Sequence, residues 1–372
     1  MSFNFPDTPT LGQAYGNYTW DGEKWQLPGN VYANRSSIYA APFDALAYSG
    51  MQINGSMVVS QELGSTGFVD LASNSKYIVD GWYGNSAGAQ AIRGQQNPTV
   101  FPPGHGAAVQ LQVNGTANPS PASSDNVLFQ QRIEGYRAAR LAWGTPNAQP
   151  LTVAFWVYAN RVGTYSVSVT NASTNRSYVA TFSVTAVQTW EYKTVTIPGD
   201  TAGTWAKDNT VGIFLSVVMM TGSALQTAPG VWTAGTAFFG ATGMTNGVAA
   251  VSDYMLLSGV VVLPGIEAPS AARSALIMRP FDQELVTCQR YWEATEIDII
   301  SYGAAGTAQA ACNVAFSVEK RSNPTAVMAA QAYFNCTLNA YTATKKINRV
   351  LLNVAVTGNW QVAVTINNDA RL

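Results

Sequence analysis

Apolar and polar positions alternate along most of this chain. Period two is plain in residues 165–170 (YSVSVT) and 192–197 (YKTVTI), where one face is apolar and the other carries Ser, Thr or Lys. That is the pattern of a half-buried antiparallel strand. Short runs rich in Val, Thr, Tyr and Phe recur at residues 151–158, 178–184, 211–219 and 254–263, bounded by Gly, Pro, Asn and Ser. Strands at this spacing, with no helical periodicity between them, predict a β-sandwich or jelly roll. One segment reads as a helix: residues 282–292 (DQELVTCQRYW), after Pro280, with Asp282 as N-cap and Leu285, Cys288, Gln289 and Trp292 on one stripe. The preceding IEAPSAARSALIMRP reads as a linker. The β pattern resumes at 312–319, 327–338, 347–356 and 359–366. The expected organisation is an all-β chain in three parts. An N-terminal segment spans 1–49, a jelly-roll sandwich 50–265, and a smaller, helix-started β domain 266–372.

Composition sharpens this picture in one respect. Charged residues make up only 11% of the 372, well below the usual quarter or so. A surface of Ser, Thr, Asn, Gln and Gly suits a protein packed among copies of itself, and it suits sugars, whose hydroxyls match amides and hydroxyls. The net charge is −1 and no basic patch is visible, which argues against nucleic acid as a partner. No run of eighteen apolar residues occurs, so no membrane insertion is expected. The opening MSFNFPDTPT lacks the basic and apolar regions of a secretory signal, so synthesis in a cytoplasm is expected. Three cysteines, Cys288, Cys312 and Cys336, are too few for a disulfide framework. They read as buried free thiols, with inter-chain disulfides as the alternative.

The first thirty residues carry Pro6, Pro9 and Gly12, then Tyr18–Trp20, Asp21-Gly22 and Lys24-Trp25. Asp-Gly favours a type I′ hairpin turn. So small a hairpin needs a surface to pack on, so Tyr18, Trp20 and Trp25 are candidate docking residues, and the resemblance that follows implies the same role for Phe5 and Pro6. The ordered Pro, Gly and Tyr positions with the Trp-Asp-Gly-x-Lys-Trp run resemble an N-terminal motif of bacteriophage tail-fibre and appendage proteins. The resemblance implies a virion protein attached to other virion proteins through this segment. A second resemblance begins at Met51–Gly55 (MQING), runs through residues 58–61 (VVSQ) and 77–83 (YIVDGWY), and continues through 131–134, 153–157 and 189–195. It is similar to a domain common in phage fibres and to jelly-roll carbohydrate-binding modules, which implies contact with a host cell-surface glycan. A third, residues 279–293 (RPFDQELVTCQRYWE), resembles a helix that opens C-terminal β domains of phage tail proteins. It implies an oligomer, expected to be a homotrimer, located in the virion and made in the bacterial host cytoplasm. None of the three implies catalysis.

Candidate chemistry is sparse. The single histidine, His105 in PPGHG, has no accompanying nucleophile signature and reads as an exposed loop residue. A closed zinc site lacks ligands. Glu134, Glu191, Asp200, Asp208 and Asp253 are the candidates for paired carboxylates of glycoside cleavage. No cofactor is expected, though Asp70, Asp80 and Asp253 are the residues that would serve a structural calcium ion. Trp82, Tyr83, Trp143, Trp205 and Trp232 are the candidate sugar-stacking platforms, because loop aromatics flanked by small residues offer a face to a sugar's C–H face. Phe155, Trp156 and Trp190 read as packing residues. The expected function is a non-enzymatic virion appendage, a tail or head fibre that attaches to a host glycan. The alternatives are an architectural capsid decoration or collar protein without a ligand, and a glycan-degrading tailspike.

Overall fold

The computed structural model describes residues 8–10, 13–15, 18–20, 25–26, 50–65, 67–71, 75–303, 309–355 and 357–372. The chain divides into two compact units, Met1–Ser49 and Gly50–Leu372. In the first, β1 (Ala14–Tyr15), β2 (Tyr18–Trp20) and β3 (Trp25–Gln26) form an antiparallel sheet with Trp20 opposite Trp25. The strands of the expected hairpin are therefore in place. Its Asp21-Gly22 turn, with Phe5 and Pro6, lies outside the described residues.

The second unit is built on two antiparallel sheets packed face to face. One has the order β13 (Glu191–Ile197), β10 (Leu151–Ala159), β18 (Tyr254–Pro264), β8 (Ala108–Val113), β7 (Ile92–Asn97) and β4 (Val69–Asp70). The other has the order β16 (Trp232–Ala234), β12 (Arg176–Val184), β11 (Gly163–Thr170), β14 (Val211–Thr221), β9 (Asn126–Glu134), β6 (Trp82–Ala87) and β5 (Ser75–Val79). Alternate residues of each strand meet in one core. Phe155 of β10 and Phe182 of β12 pack edge to face across it at 5.1 Å. Burying each such side chain stabilises the sandwich by about 1.5–3 kcal/mol.

Residues 222–247 lie over the outer face of the larger sheet, with β15 (Gln226–Thr227) paired to β17 (Gly240–Ala241). Backbone N–H groups of Ala241 and Phe238 donate to the Ser166 and Ser177 hydroxyls at 2.9 and 3.0 Å. The polar face read from YSVSVT is thus buried under protein rather than under water. The same face also receives the C-terminus: Tyr77 Oη and Arg132 donate to the Leu372 carbonyl.

A second, smaller sandwich follows. Its sheets are β19 (Trp292–Gly303), β24 (Gly358–Asp369) and β21 (Thr325–Phe334), and β20 (Gln309–Ala315), β23 (Ile347–Val354) and β22 (Cys336–Ala343), each with its longest-paired strand central. Ile297, Val362 and Val364 from one sheet pack with Cys312, Cys336, Val350 and Leu352 from the other. The expected single strand over 327–338 is instead two strands. Asn335 breaks it with φ of 52°, a left-handed conformation that asparagine tolerates and that turns the chain from one sheet to the other. All three cysteines are free and buried, and burial pushes the Cys288 thiol well above its ordinary pKa.

Two of the motifs that carried the resemblance meet at one joint between the sandwiches. Asn54, in MQING, has φ of 52°, and its side chain bonds Val59 N, Val59 O and Asp80 O at 2.7–3.0 Å. Its backbone N–H donates to Glu284 at 2.7 Å. Glu284 also pairs with Arg279 at 3.2 Å, and Arg279 donates to the carbonyls of Gln52 and Gly50. Both ionic side chains are buried. Glu284 lies in the helix α2 (Phe281–Gln289), which follows the short α1 (Gly135–Ala138) in chain order. The N-cap of α2 falls two residues earlier than the expected Asp282. Pro280 stands at its N-cap position, and Asp282 lies in the first turn, where a carboxylate favours the positive end of the helix dipole. Trp292 has already left the helix for β19. From just beyond α2, Arg290 and Tyr291 both bond Glu134 of β9 at 2.7 Å. The RPFDQEL…QRYW run therefore clamps the smaller sandwich to the larger one.

Candidate functional site

The strand LTVAFWVYA positions a surface. Val153, Phe155 and Val157 point into the core, so Trp156 and Tyr158 point out from the six-stranded sheet. Sequence reading placed Trp156 and Trp190 among packing residues, and the structure divides them. Trp156 is covered. Its indole N–H donates to Ser274 Oγ at 2.9 Å, and Tyr192 beside it donates to the Pro269 carbonyl at 2.9 Å. Ser274 belongs to a 3-10 helix (Ala271–Ile277) in the segment expected to be a free linker. That segment is a strap across this end of the sheet.

His105 is held near the same end. It is 7% exposed, not an exposed loop residue as expected. Gly259 of β18 has φ of 58°, and a Cβ there would fall 2.7 Å from the His105 ring and 2.8 Å from Trp156. Glycine alone gives both rings room to close over the strand. Neither His105 ring nitrogen has a partner among the described residues.

The other half of the face carries a different set of side chains. Tyr158 and Trp190 lie 5.3 Å apart, and Tyr158 stacks with Tyr254 at 6.2 Å. All three are half-buried. Strand register sets the amides beside them. Tyr254 is opposite Gln112, which is opposite Arg93; Leu256 is opposite Gln110, which is opposite Gln95. Gln95 and Asn97 donate to Gln110 Oε1 at 2.8 and 2.9 Å, and Gln110 donates to Gln112 at 3.2 Å. Gln188 donates to the Tyr254 hydroxyl at 3.0 Å, and Arg93 stacks on Phe68 at 3.9 Å. Burial, with Tyr254 adjacent, raises the Tyr158 pKa, so its phenol keeps its proton. The result is an aromatic patch continuous with a row of amides. Aromatic faces take the C–H faces of sugars, and amides both donate to and accept from hydroxyls.

The five aromatics expected as platforms lie elsewhere, and packing closes most of their faces. Trp82 is fully buried, its N–H spent on the Ile53 carbonyl at 3.1 Å. Tyr83, on the outer face of the larger sheet, is held between Arg132 at 4.4 Å and Tyr77 at 5.2 Å. Trp143, Trp205 and Trp232 do come together, at 4.7, 5.3 and 5.6 Å, but against one another and Tyr178. Their N–H groups go to the Gln149, Ala202 and Pro198 carbonyls. A large apolar ring in a loop is driven into the nearest core unless something holds it out, and here nothing does. The residues of this candidate patch that sequence reading did not single out are Tyr158, Tyr254 and the glutamines of VQLQV and IRGQQN. Their signal was available: a strand with aromatics on both faces cannot bury both in one core.

The candidate carboxylates each have their own partners. Glu134 binds Arg290 and Tyr291, Asp200 binds Arg176, and Asp253 binds Arg161 through both oxygens at 3.0 Å. Glu191 sits near a pKa of about 2. Burial pushes it up, but Lys193 and the N–H groups of Ala186 and Thr185 hold it down. Asp208 is lowered by its hydrogen bonds from Thr210. A general acid needs the opposite shift. Asp80 accepts from Gln61, and Asp70 from Asn114. Among the described residues, no three His, Cys, Asp or Glu side chains group to hold a metal ion. No helix among them is long and apolar enough to cross a membrane.

No protein-family model matches the chain, and no curated protein matches it. Among solved structures it is similar to the enzymatically active domain of tailspike protein 4 of bacteriophage CBA120. The identity is 8% and the TM-score 0.32, over 59% of this chain and 22% of that one. The chain thus spans about a fifth of that tailspike domain's length. It is similar to a family 11 carbohydrate-binding module of a Clostridium thermocellum cellulosomal cellulase, at 9% identity and a TM-score of 0.26, over 53% of this chain and 98% of the module. It is also similar to a xylan-binding domain from Paenibacillus barcinonensis, at 8% identity and a TM-score of 0.25, over 57% and 99% of the two chains.

Proposed function

We propose that this chain is a non-catalytic appendage protein of a bacteriophage particle that attaches to a host-surface glycan through the open half of its six-stranded sheet. The carrying observation is the half-exposed Tyr158–Trp190–Tyr254 patch beside the half-exposed Gln112 and Gln95, which the buried Gln110 amide ties together, on a sheet face whose other end is strapped shut. A flat strip of aromatics and amides, with little charge, suits an uncharged or weakly charged polysaccharide. In this reading the N-terminal segment joins the chain to other virion proteins, and the chain works as a trimer. Both rest on the motifs in the sequence.

The test is affinity for host surface polysaccharide, measured by calorimetry with the full chain. Trp190→Ala and Tyr158→Ala should each weaken binding about fivefold or more, since truncating a central aromatic contact typically costs more than about 1 kcal/mol. Thermal midpoints should stay close to the parent's, because both rings are half-exposed. Trp143→Ala should leave affinity unchanged. Parent binding that is indifferent to both variants would move the site elsewhere, and release of reducing sugar would replace attachment with cleavage.

A further inference from the structure

The aromatic strip does not end at Tyr158 and Trp190. Trp156 and Tyr158 are alternate residues of β10, so the pleat aims both outward. Register sets Trp156 opposite Tyr192, and their rings lie 5.2 Å apart. This second pair adjoins the first, and what separates them in exposure is the strap, residues 266–278. It takes the polar tips of Trp156 and Tyr192 through Ser274 and Pro269, and both rings stay half-buried beneath it. The strap itself is weakly held. Of its residues only Pro269, Ser274 and Ile277 are buried, while Ile266 and Leu276 turn outward at 71 and 67% exposed. Its 3-10 helix has no side-chain cap and runs seven residues, longer than such helices usually persist. Both ends are fixed. Gly265, with φ of 99°, is bonded to Pro150 and Thr152, and Arg279 is locked in the joint between the sandwiches. A segment of this kind opens locally at less than the cost of global unfolding, and it stays tethered.

Beneath the strap lies a polar group without bonds. Ala275 of the strap abuts the His105 loop: a Cβ on Gly104 would fall 2.7 Å from the Ala275 Cβ. The His105 ring is 7% exposed and shares the space over Gly259 with Trp156. Neither of its nitrogens has a partner among the described residues. Burial lowers its pKa to about 4, so at neutral pH one nitrogen donates and the other accepts. Leaving both unused costs stability, which a ligand hydroxyl would recover. The strands beside the ring, β10 and β18, carry no charged residue, which suits hydroxyls rather than an ionised group.

We infer that Trp156, Tyr192 and His105 form a second, latent subsite of the glycan face, opened when residues 266–278 lift, and that it takes the further sugar units of a long chain already seated on Tyr158 and Trp190. Sugar C–H faces stack on the two rings, and sugar hydroxyls bond the His105 nitrogens. The strap then sets a chain-length preference. A short glycan meets only the open half of the strip, whereas a long one must displace Ser274 from the Trp156 indole. This subsite rests on the glycan reading of the face and adds to it the length of the ligand and the segment that gates it.

The experiment is calorimetry on the full chain with a disaccharide and a hexasaccharide cut from the host surface polysaccharide, joined to hydrogen exchange over residues 266–278. Ser274→Ala removes the strap's acceptor for the Trp156 indole and leaves every ring in place. It should speed strap exchange without ligand, tighten hexasaccharide binding about fivefold, the worth of one hydrogen bond, and leave disaccharide binding unchanged. A misfolded variant would not gain affinity. Trp156→Ala should erase the hexasaccharide's advantage over the disaccharide. In the parent, bound hexasaccharide should raise strap exchange, and bound disaccharide should not. A strap as protected with hexasaccharide as without it, or equal affinity for the two lengths in parent and Ser274→Ala alike, overturns the second subsite. If Trp190→Ala still weakens both sugars in that case, the open patch stands alone. Binding of neither sugar overturns the attachment reading and the subsite together.

Discussion

Glu284→Ala is expected to cost about 3–5 kcal/mol of folding stability, the usual penalty for removing one partner of a buried ion pair. Glu284 is 2% exposed and accepts from two groups that have little else nearby. Its loss leaves the Arg279 guanidinium buried, with only the Gln52 and Gly50 carbonyls to face it. It also leaves the Asn54 N–H without its 2.7 Å acceptor. Asn54 holds its left-handed turn only because the surrounding bonds fix it, so damage should spread to the Trp82 N–H that docks on the same turn. Glu284→Gln should cost distinctly less, because the amide oxygen still accepts from Asn54 while the charge is lost. The check is the urea midpoint of both variants, with hydrogen exchange at residues 50–57. A cost below about 1 kcal/mol for the alanine variant would mean that the joint is solvated and contributes no clamp.

The second large effect is on pH. His105 is buried with both nitrogens unpartnered, and burial alone pushes its pKa down from 6.5 to about 4. The sign follows from which state binds the proton. Above about pH 6.5 the ring is neutral in both folded and unfolded chains, and His105 makes no pH-dependent contribution. Between pH 6.5 and 4 the unfolded chain takes up a proton that the folded chain refuses. Stability therefore falls as pH falls through that window and levels off below it, by about 3 kcal/mol in all. Glu191, held down by Lys193 and by the Ala186 and Thr185 N–H groups, adds an acid loss of its own at lower pH, so the variant His105→Gln is the reference. Its unfolding free energy should lack the 6.5-to-4 slope that the parent shows. Equal slopes in parent and variant would mean that the His105 ring reaches water in the folded state.

What the residues made legible was local. Period two in YSVSVT and YKTVTI predicted half-buried strands, and the structure places both in antiparallel sheets. The N-cap of the late helix came within two residues, because Pro280 and the acidic first turn are signals read from neighbours in sequence. The motif residues of MQING and RPFDQEL were picked out for their resemblance. Their physical role was not visible, because Asn54 and Glu284 lie 230 positions apart and meet only when two sandwiches dock.

The candidate site shows the same division more sharply. Alternation told which side of LTVAFWVYA faces the core, since that depends only on the pleat of one strand. It could not tell whether the outward face meets water, another layer or a ligand. Over Trp156 the answer is a strap, over Ser166 it is residues 222–247, and beside Tyr158 it is the rings of Trp190 and Tyr254, which leave it half-exposed. Trp143 and Trp205 come from two separate loops and Trp232 from β16, and they close on one another, which no spacing along the chain foretells. Secondary structure here follows from short-range sterics and side-chain period, which the residues carry themselves. Exposure is a property of what the rest of the chain lays on top, and only the folded arrangement of distant segments decides it.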